Sequence, residues 1–153
     1  MKKEKRAFRY PYARVKGLEE FMTFAQEPNW RPAAVNIELL KRLGMAKGKE
    51  REAVNALKFL GVIDDECLPS GEFDNLKKNY QDTLKKLVIL KYEELFNLIP
   101  TKLINQSRLV NFFGGPVDTA EYQAELFVWL CKQSGIELPS MESTIHRARY
   151  DKK

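Results

Sequence analysis

The sequence is poor in the side chains that carry chemistry. It holds one histidine, His146, and two cysteines, Cys67 and Cys131, in 153 residues. His146 stands in a basic tail with no partner pattern around it, so it reads as a surface residue rather than an acid–base catalyst. The two cysteines are far apart and lack metal-ligand spacing. They read as free thiols in an intracellular protein, packing as small side chains. A nucleophilic cysteine would need a nearby base, and none is patterned here. Asp64, Asp65 and Glu66 are too few and too close for an oxygen cage around a cation, and read as a turn. "FFGGP" lacks the Gly-Lys-Ser/Thr context of a phosphate loop. No catalytic residue, metal site or cofactor is therefore expected, and the chain is not expected to be an enzyme. No apolar run approaches the ~18 residues that suggest a membrane span. The basic start, "MKKEKRAFRYPYARVKG", has no apolar segment behind it, so no secretory signal is expected and the cytoplasm is the expected location.

What is present is a soluble, globular composition. Hydrophobic residues make up 44% and charged residues 31%, enough apolar material for one domain or two small ones sharing a core. The net charge of +5 is unevenly placed. Residues 1–16 carry seven Lys or Arg against one Glu, a balance of +6. Residues 141–153 carry four basic against two acidic, a balance of +2, which leaves the middle at −3. Within that acidic middle lies a cationic island: Lys41, Arg42, Lys47, Lys49, Arg51 and Lys58 against Glu50 and Glu52.

Apolar spacing predicts the helices. After an extended "YPY" and Gly17, residues Leu18, Phe21, Met22 and Ala25 form one helical stripe that Pro28 ends. A short second helix is predicted over about Pro32–Leu43, starting near Asn29 or Arg31, with Val35, Leu39, Leu40 and Leu43 inward and Gly44 as its stop. A third runs over about Lys49–Leu60, with Ala53, Ala56, Leu57 and Leu60 inward and Gly61 as its cap. "VID", "DE" and "CLPSG" then read as a strand, a tight acidic turn and a short returning edge strand. Three helices followed by a small hairpin is the order of a winged helix-turn-helix. From Glu72 one long helix is expected, with Phe73, Leu76, Tyr80, Leu84, Leu87, Val88, Leu95 and Phe96 inward, up to Pro100. A short helix follows from Asn105 or Ser107 to Phe113. The last, capped by Asp118 or Thr119, buries Tyr122, Leu126, Trp129 and Leu130.

The expected fold is thus mainly α: a winged helix-turn-helix of three helices and a β-hairpin wing, then a C-terminal helical bundle. The expected divisions are a basic arm at 1–16, a winged-helix-like domain at 17–71, a helical subdomain at 72–138 and a basic tail at 139–153.

Tyr10-Pro11-Tyr12, the block Leu57-Lys58-Phe59-Leu60-Gly61 with Ile63 and Asp64, and Phe112-Phe113 occur in this order. In these motifs the chain resembles a family of uncharacterised bacterial and archaeal proteins, a domain of unknown function, over roughly residues 8–135. The resemblance implies a prokaryotic protein and no catalytic residues.

The island around residue 50 points to a polyanion. A helix in the major groove needs long hydrogen-bond donors outward and cations beside them for phosphates. Lys49, Arg51, Asn55 and Lys58 supply the first; Lys41, Arg42 and Lys47 stand beside them. Lys5, Arg6 and Arg9, with Lys2 and Lys3, form an arm of the kind that lies in a groove. The expectation is a regulator that binds double-stranded DNA without chemistry. Against it stand Glu50 and Glu52 at the helix start and an acidic rather than basic wing, which leave a solvated charged face as the plainer alternative. The other function expected of such a fold is an adaptor that binds a protein partner or a second copy of itself. Tyr10, Tyr12 and Trp30 either stack on bases or, as weighs more, staple the N-terminal segment to the core.

Overall fold

The structure is a computed structural model and describes residues 9–139. Lys2, Lys3, Lys5, Arg6 and His146 lie outside the described residues, as does the tail beyond residue 139. Eight α-helices and one 3-10 turn account for the regular structure, and no β-strand occurs among the described residues. The mainly α class is therefore observed.

The first helix, α1 (Val15–Ala25), buries the anticipated stripe of Leu18, Phe21, Met22 and Ala25. Gly17 lies inside this helix rather than before it, and the turn around Ala46 rests on it. A Cβ at residue 17 would stand 2.5 Å from the Ala46 Cβ and 2.9 Å from its Cα.

The second helix, α2 (Ile37–Leu43), starts later than the sequence pattern suggests. Val35 donates its N–H to the Cys67 carbonyl at 2.7 Å, so the residues before Asn36 are tied to the loop at 67 instead of winding into a first turn. Asn36 is the cap, accepting from the Leu39 N–H at 2.9 Å. Leu40 is buried, Leu39 only half so, and Leu43 is exposed. Gly44 ends α2 with a left-handed φ of 73°.

The third helix, α3 (Glu50–Leu60), buries Ala53, Val54, Ala56, Leu57 and Leu60. Gly61 closes it in the left-handed region, as expected, with Gly61 and Val62 N–H groups returning to the Leu57 carbonyl.

The expected β-hairpin wing is not formed. Its only sheet feature is an isolated antiparallel bridge between Ile63 and Pro69. Pro69 cannot donate to a ladder. Asp64 Oδ1 accepts from the Glu66 and Leu68 N–H groups, both at 2.9 Å, and folds the segment into a tight turn. Val62 and Ile63 are buried in the core instead of standing in a projecting ribbon.

The long helix expected after Glu72 is three helices: α4 (Gly71–Lys78), α5 (Tyr80–Lys91) and α6 (Glu93–Leu98). The breaks fall at Asn79 (φ −156°, ψ 77°) and Tyr92 (φ −107°, ψ 26°). At the second break Tyr92 turns fully inward and stacks on Tyr10, ring centroids 5.4 Å apart, with Phe59 and Phe127 edge-on. Tyr80 and Phe96 are half-buried; the remaining apolar positions named for this stretch are buried.

Helix α7 (Gln106–Phe113) is capped by Asn105, one of the two positions expected. Helix α8 (Val117–Gln133) starts directly after Pro116 with no side-chain cap, so neither Asp118 nor Thr119 plays that part. Its buried stripe is Ala120, Gln123, Ala124, Phe127, Leu130 and Cys131 along with Leu126. Tyr122 and Trp129, expected inside, are half-buried. The small residues let α8 lie close against α7 and α5. Buried side chains from Tyr10 to Cys131 form one continuous core. Among the described residues no helix is long and apolar enough to cross a membrane.

Candidate nucleic-acid interface

Helices α2 and α3 are joined by a turn at residues 44–49, in which Ala46 and Gly48 both take positive φ. The apolar side of α3 is fixed in the core, so periodicity alone puts Arg51, Asn55 and Lys58 on its other side. Arg51 and Asn55 are exposed and Lys58 is half-buried. Together Arg51 and Asn55 form a ridge between two depressions. One, of about 240 Å³, is walled by the segment Arg9–Tyr12. The other, of about 300 Å³, is walled by Asn36–Glu38 at the start of α2 and by Cys67. Lys58 reaches the second.

The two glutamates that count against a polyanion are engaged with the protein itself. Glu50 is only 9% exposed and accepts from the Gly48 N–H at 3.2 Å. Glu52 pairs with Arg14 at 3.3 Å, and the Arg14 guanidinium in turn lies 4.0 Å from the centre of the Tyr122 ring. Arg51, Asn55 and Lys58 share that side of α3 with the half-buried, Arg14-paired Glu52.

Lys41, Arg42, Lys47 and Lys49 are all exposed on α2 and the following turn. Arg42 faces Glu38 one turn back at 3.6 Å, a fully solvated pair of small energetic consequence. Arg9 pairs with Glu94 and covers the Tyr10 ring at 5.3 Å, so it is held to the body of the fold. The acidic turn remains beside the site: Asp64 is occupied with the loop, while Asp65 and Glu66 are exposed near Cys67. The surface around α3 thus carries both signs, with the cations on the helix and the anions at its edge.

The aromatic residues of the N-terminal segment pack inward. Tyr10 is buried among Phe59, Tyr92, Phe112 and Phe113, and its carbonyl accepts from Gln123 Nε2 at 2.8 Å. Burial raises the Tyr10 hydroxyl pKa. Trp30 packs on Phe21, Phe24 and Phe73, and Tyr12 is half-buried. Tyr10 and Trp30 thus act as staples.

Searches against family models, curated proteins and solved structures each return no match. The functional reading therefore stands on geometry and charge.

Of the two free thiols one is buried and one is half-buried. Burial pushes the Cys131 thiol up to about 12, which disfavours the thiolate. Cys67 is half-buried at φ 69° in the turn. Among the described residues no group of three or more His, Cys, Asp or Glu is arranged to hold a metal ion. Two features escaped sequence reasoning. The inward turn of Tyr92 depends on a break between α5 and α6 that the apolar spacing does not mark. Lys78 stands seven residues before the adjacent pair Lys85 and Lys86, and all three line one depression beside the break at Asn79.

Proposed function

We propose that this protein binds double-stranded DNA without chemistry, as a regulator would. Helix α3 enters the major groove, and the basic N-terminal residues add phosphate contacts. In this proposal α1–α3 make a helix-turn-helix whose wing is reduced to the turn at 62–70. The supporting observation is the Arg51–Asn55 ridge, flanked by depressions on both sides, with Glu50 and Glu52 engaged by Gly48 and Arg14 while Glu38 and Glu52 still line the two depressions. An arginine and an amide on one helical face are the side chains that read guanine and adenine edges. Lys41, Lys47, Lys49 and Lys58 supply cations for the backbone beside them. The test is a gel shift on random duplex at low salt. Binding is expected, and its absence would sink the proposal.

A second function is favoured by one specific feature. Asp65, Glu66 and the 45%-exposed Leu68 are exposed in the turn whose Cys67 lines the depression beside α3, a mixed apolar and acidic set suited to a protein partner or a second copy of the chain. A single stable protein partner recovered free of nucleic acid would favour this adaptor role over DNA binding.

A further inference from the structure

A second cationic surface lies at the elbow between α4 and α5. At Asn79 the backbone leaves the helical region, so α4 ends and α5 sets off in a new direction. One bond spans the bend and another opens α5. Thr83 Oγ1 donates to the Asn75 carbonyl at 3.1 Å, and the Thr83 N–H donates to the Asn79 carbonyl at 3.0 Å. The elbow encloses an open depression of about 560 Å³, lined by Lys78, Lys85 and Lys86, by the amides of Asn75 and Asn79, and by Asp82.

The neighbouring Lys77 shows what a structural lysine does in this fold. It donates to the Ala25 and Glu27 carbonyls, both at 2.8 Å, and closes the end of α1. Lys78, Lys85 and Lys86 have no such role. All three are exposed, and among the described residues none has a carboxylate within ion-pair distance. Three like charges gathered in a concave surface repel one another, and Asp82 in the lining and Asp74 near Lys78 offset them only in part. An external anion would relieve that repulsion.

The chemistry of the lining selects the anion. No apolar side chain lines the depression. A bilayer surface or an amphipathic peptide would need apolar anchors, whereas a sugar–phosphate backbone needs cations and hydrogen-bond donors only. We infer that the α4–α5 elbow is a second phosphate-backbone contact, separate from the α3 ridge. This rests on the nucleic-acid function proposed above.

The test compares the full-length protein with the variant Lys78→Gln/Lys85→Gln/Lys86→Gln and with Arg51→Ala/Lys58→Ala, on random duplex DNA over a range of salt. Each lost phosphate contact removes about one unit from the slope of log affinity against log salt. The elbow variant is expected to lose about two to three units, uniformly across DNA sequences, and the matching Lys→Arg triple variant to restore them. Should the triple variant melt early, each single Lys→Gln change is expected to remove about one unit on its own. An unchanged slope in the elbow variant, with the parent protein binding normally, overturns the elbow and leaves the α3 proposal standing. Loss in the elbow variant with no effect of Arg51→Ala/Lys58→Ala overturns the α3 role and leaves the elbow. Binding to phosphatidylserine vesicles in place of DNA overturns both.

Discussion

Gly17 carries a constraint that its neighbours do not. The Ala46 backbone rests where a side chain at residue 17 would begin, and α1 cannot yield because Leu18, Phe21 and Met22 anchor it in the core. Gly17→Ala is therefore expected to cost about 1–3 kcal/mol, despite the better helix propensity of alanine, and to lower Tm by about 3–10 °C. Thermal denaturation followed by circular dichroism checks this; an unchanged or raised Tm would contradict the close approach. At the thiols, a water-soluble reagent should modify Cys67 in the native protein and reach Cys131 only on unfolding, since Cys131 is buried and its thiol is pushed up to about 12. The Tyr80 hydroxyl, also pushed up to about 12 by burial, donates to Gln133 Oε1 at 2.8 Å. Its folded value lies above the unfolded one of 10.0, so its contribution is complete below pH 10 and is lost as pH rises through 10 towards 12. Alkaline titration of Tm should show a decline over that window, and Tyr80→Phe should make the decline shallower. Much of this scale was legible in the sequence. The stripes of α1 and α3 identify their own core residues, because one apolar face fits only one packing. Gly17 and Tyr92 were not legible, because what each touches comes from distant parts of the chain.

Helix ends decide how these short elements hold. Helix α7 has eight residues, too few to persist alone, and Asn105 satisfies the Arg108 N–H at its start. Asn105→Ala should cost about 1 kcal/mol in thermal unfolding while leaving DNA affinity unchanged, since α7 takes no part in the α3 surface. Asn36→Ala should show the same stability loss but also weaken DNA binding, because Asn36 both caps α2 and lines the depression beside Arg51. Equal effects of the two variants on binding would argue against the α3 site. The caps at Gly44 and Gly61 were legible, since glycine at those places has a local physical reason, and the start of α7 was narrowed to Asn105 or Ser107. The start of α2 was not, because the Cys67 carbonyl takes the Val35 N–H from across the fold. The break at Asn79 was not either: an apolar period of 3 and 4 runs through it, and only the Thr83–Asn75 bond and the elbow packing show the bend. The wing failed for a similar reason. Val62 and Ile63 have the residue types of a strand, but the core claims both, and Asp64 folds the chain back before a ladder can form.

For the molecule as a whole, the balance of charge matters more than its sum. A net charge of +5 is modest, and at α3 Glu50 and Glu52 are engaged by Gly48 and Arg14 while Arg51 remains exposed. The sequence pattern pointed to the α3 cations, but it could not tell which acids the fold would engage, nor that Lys78, Lys85 and Lys86 would line one depression beside a helix break. The central claim is that α3 presents Arg51 and Lys58 to a phosphate backbone. Its most direct test is the salt dependence of binding to random duplex DNA, compared between the parent protein and Arg51→Ala/Lys58→Ala. The account predicts tight binding at low salt and a slope shallower by about one to two units in the variant, with Tm unchanged. No binding by the parent protein at low salt, or identical slopes for the two proteins, would contradict it.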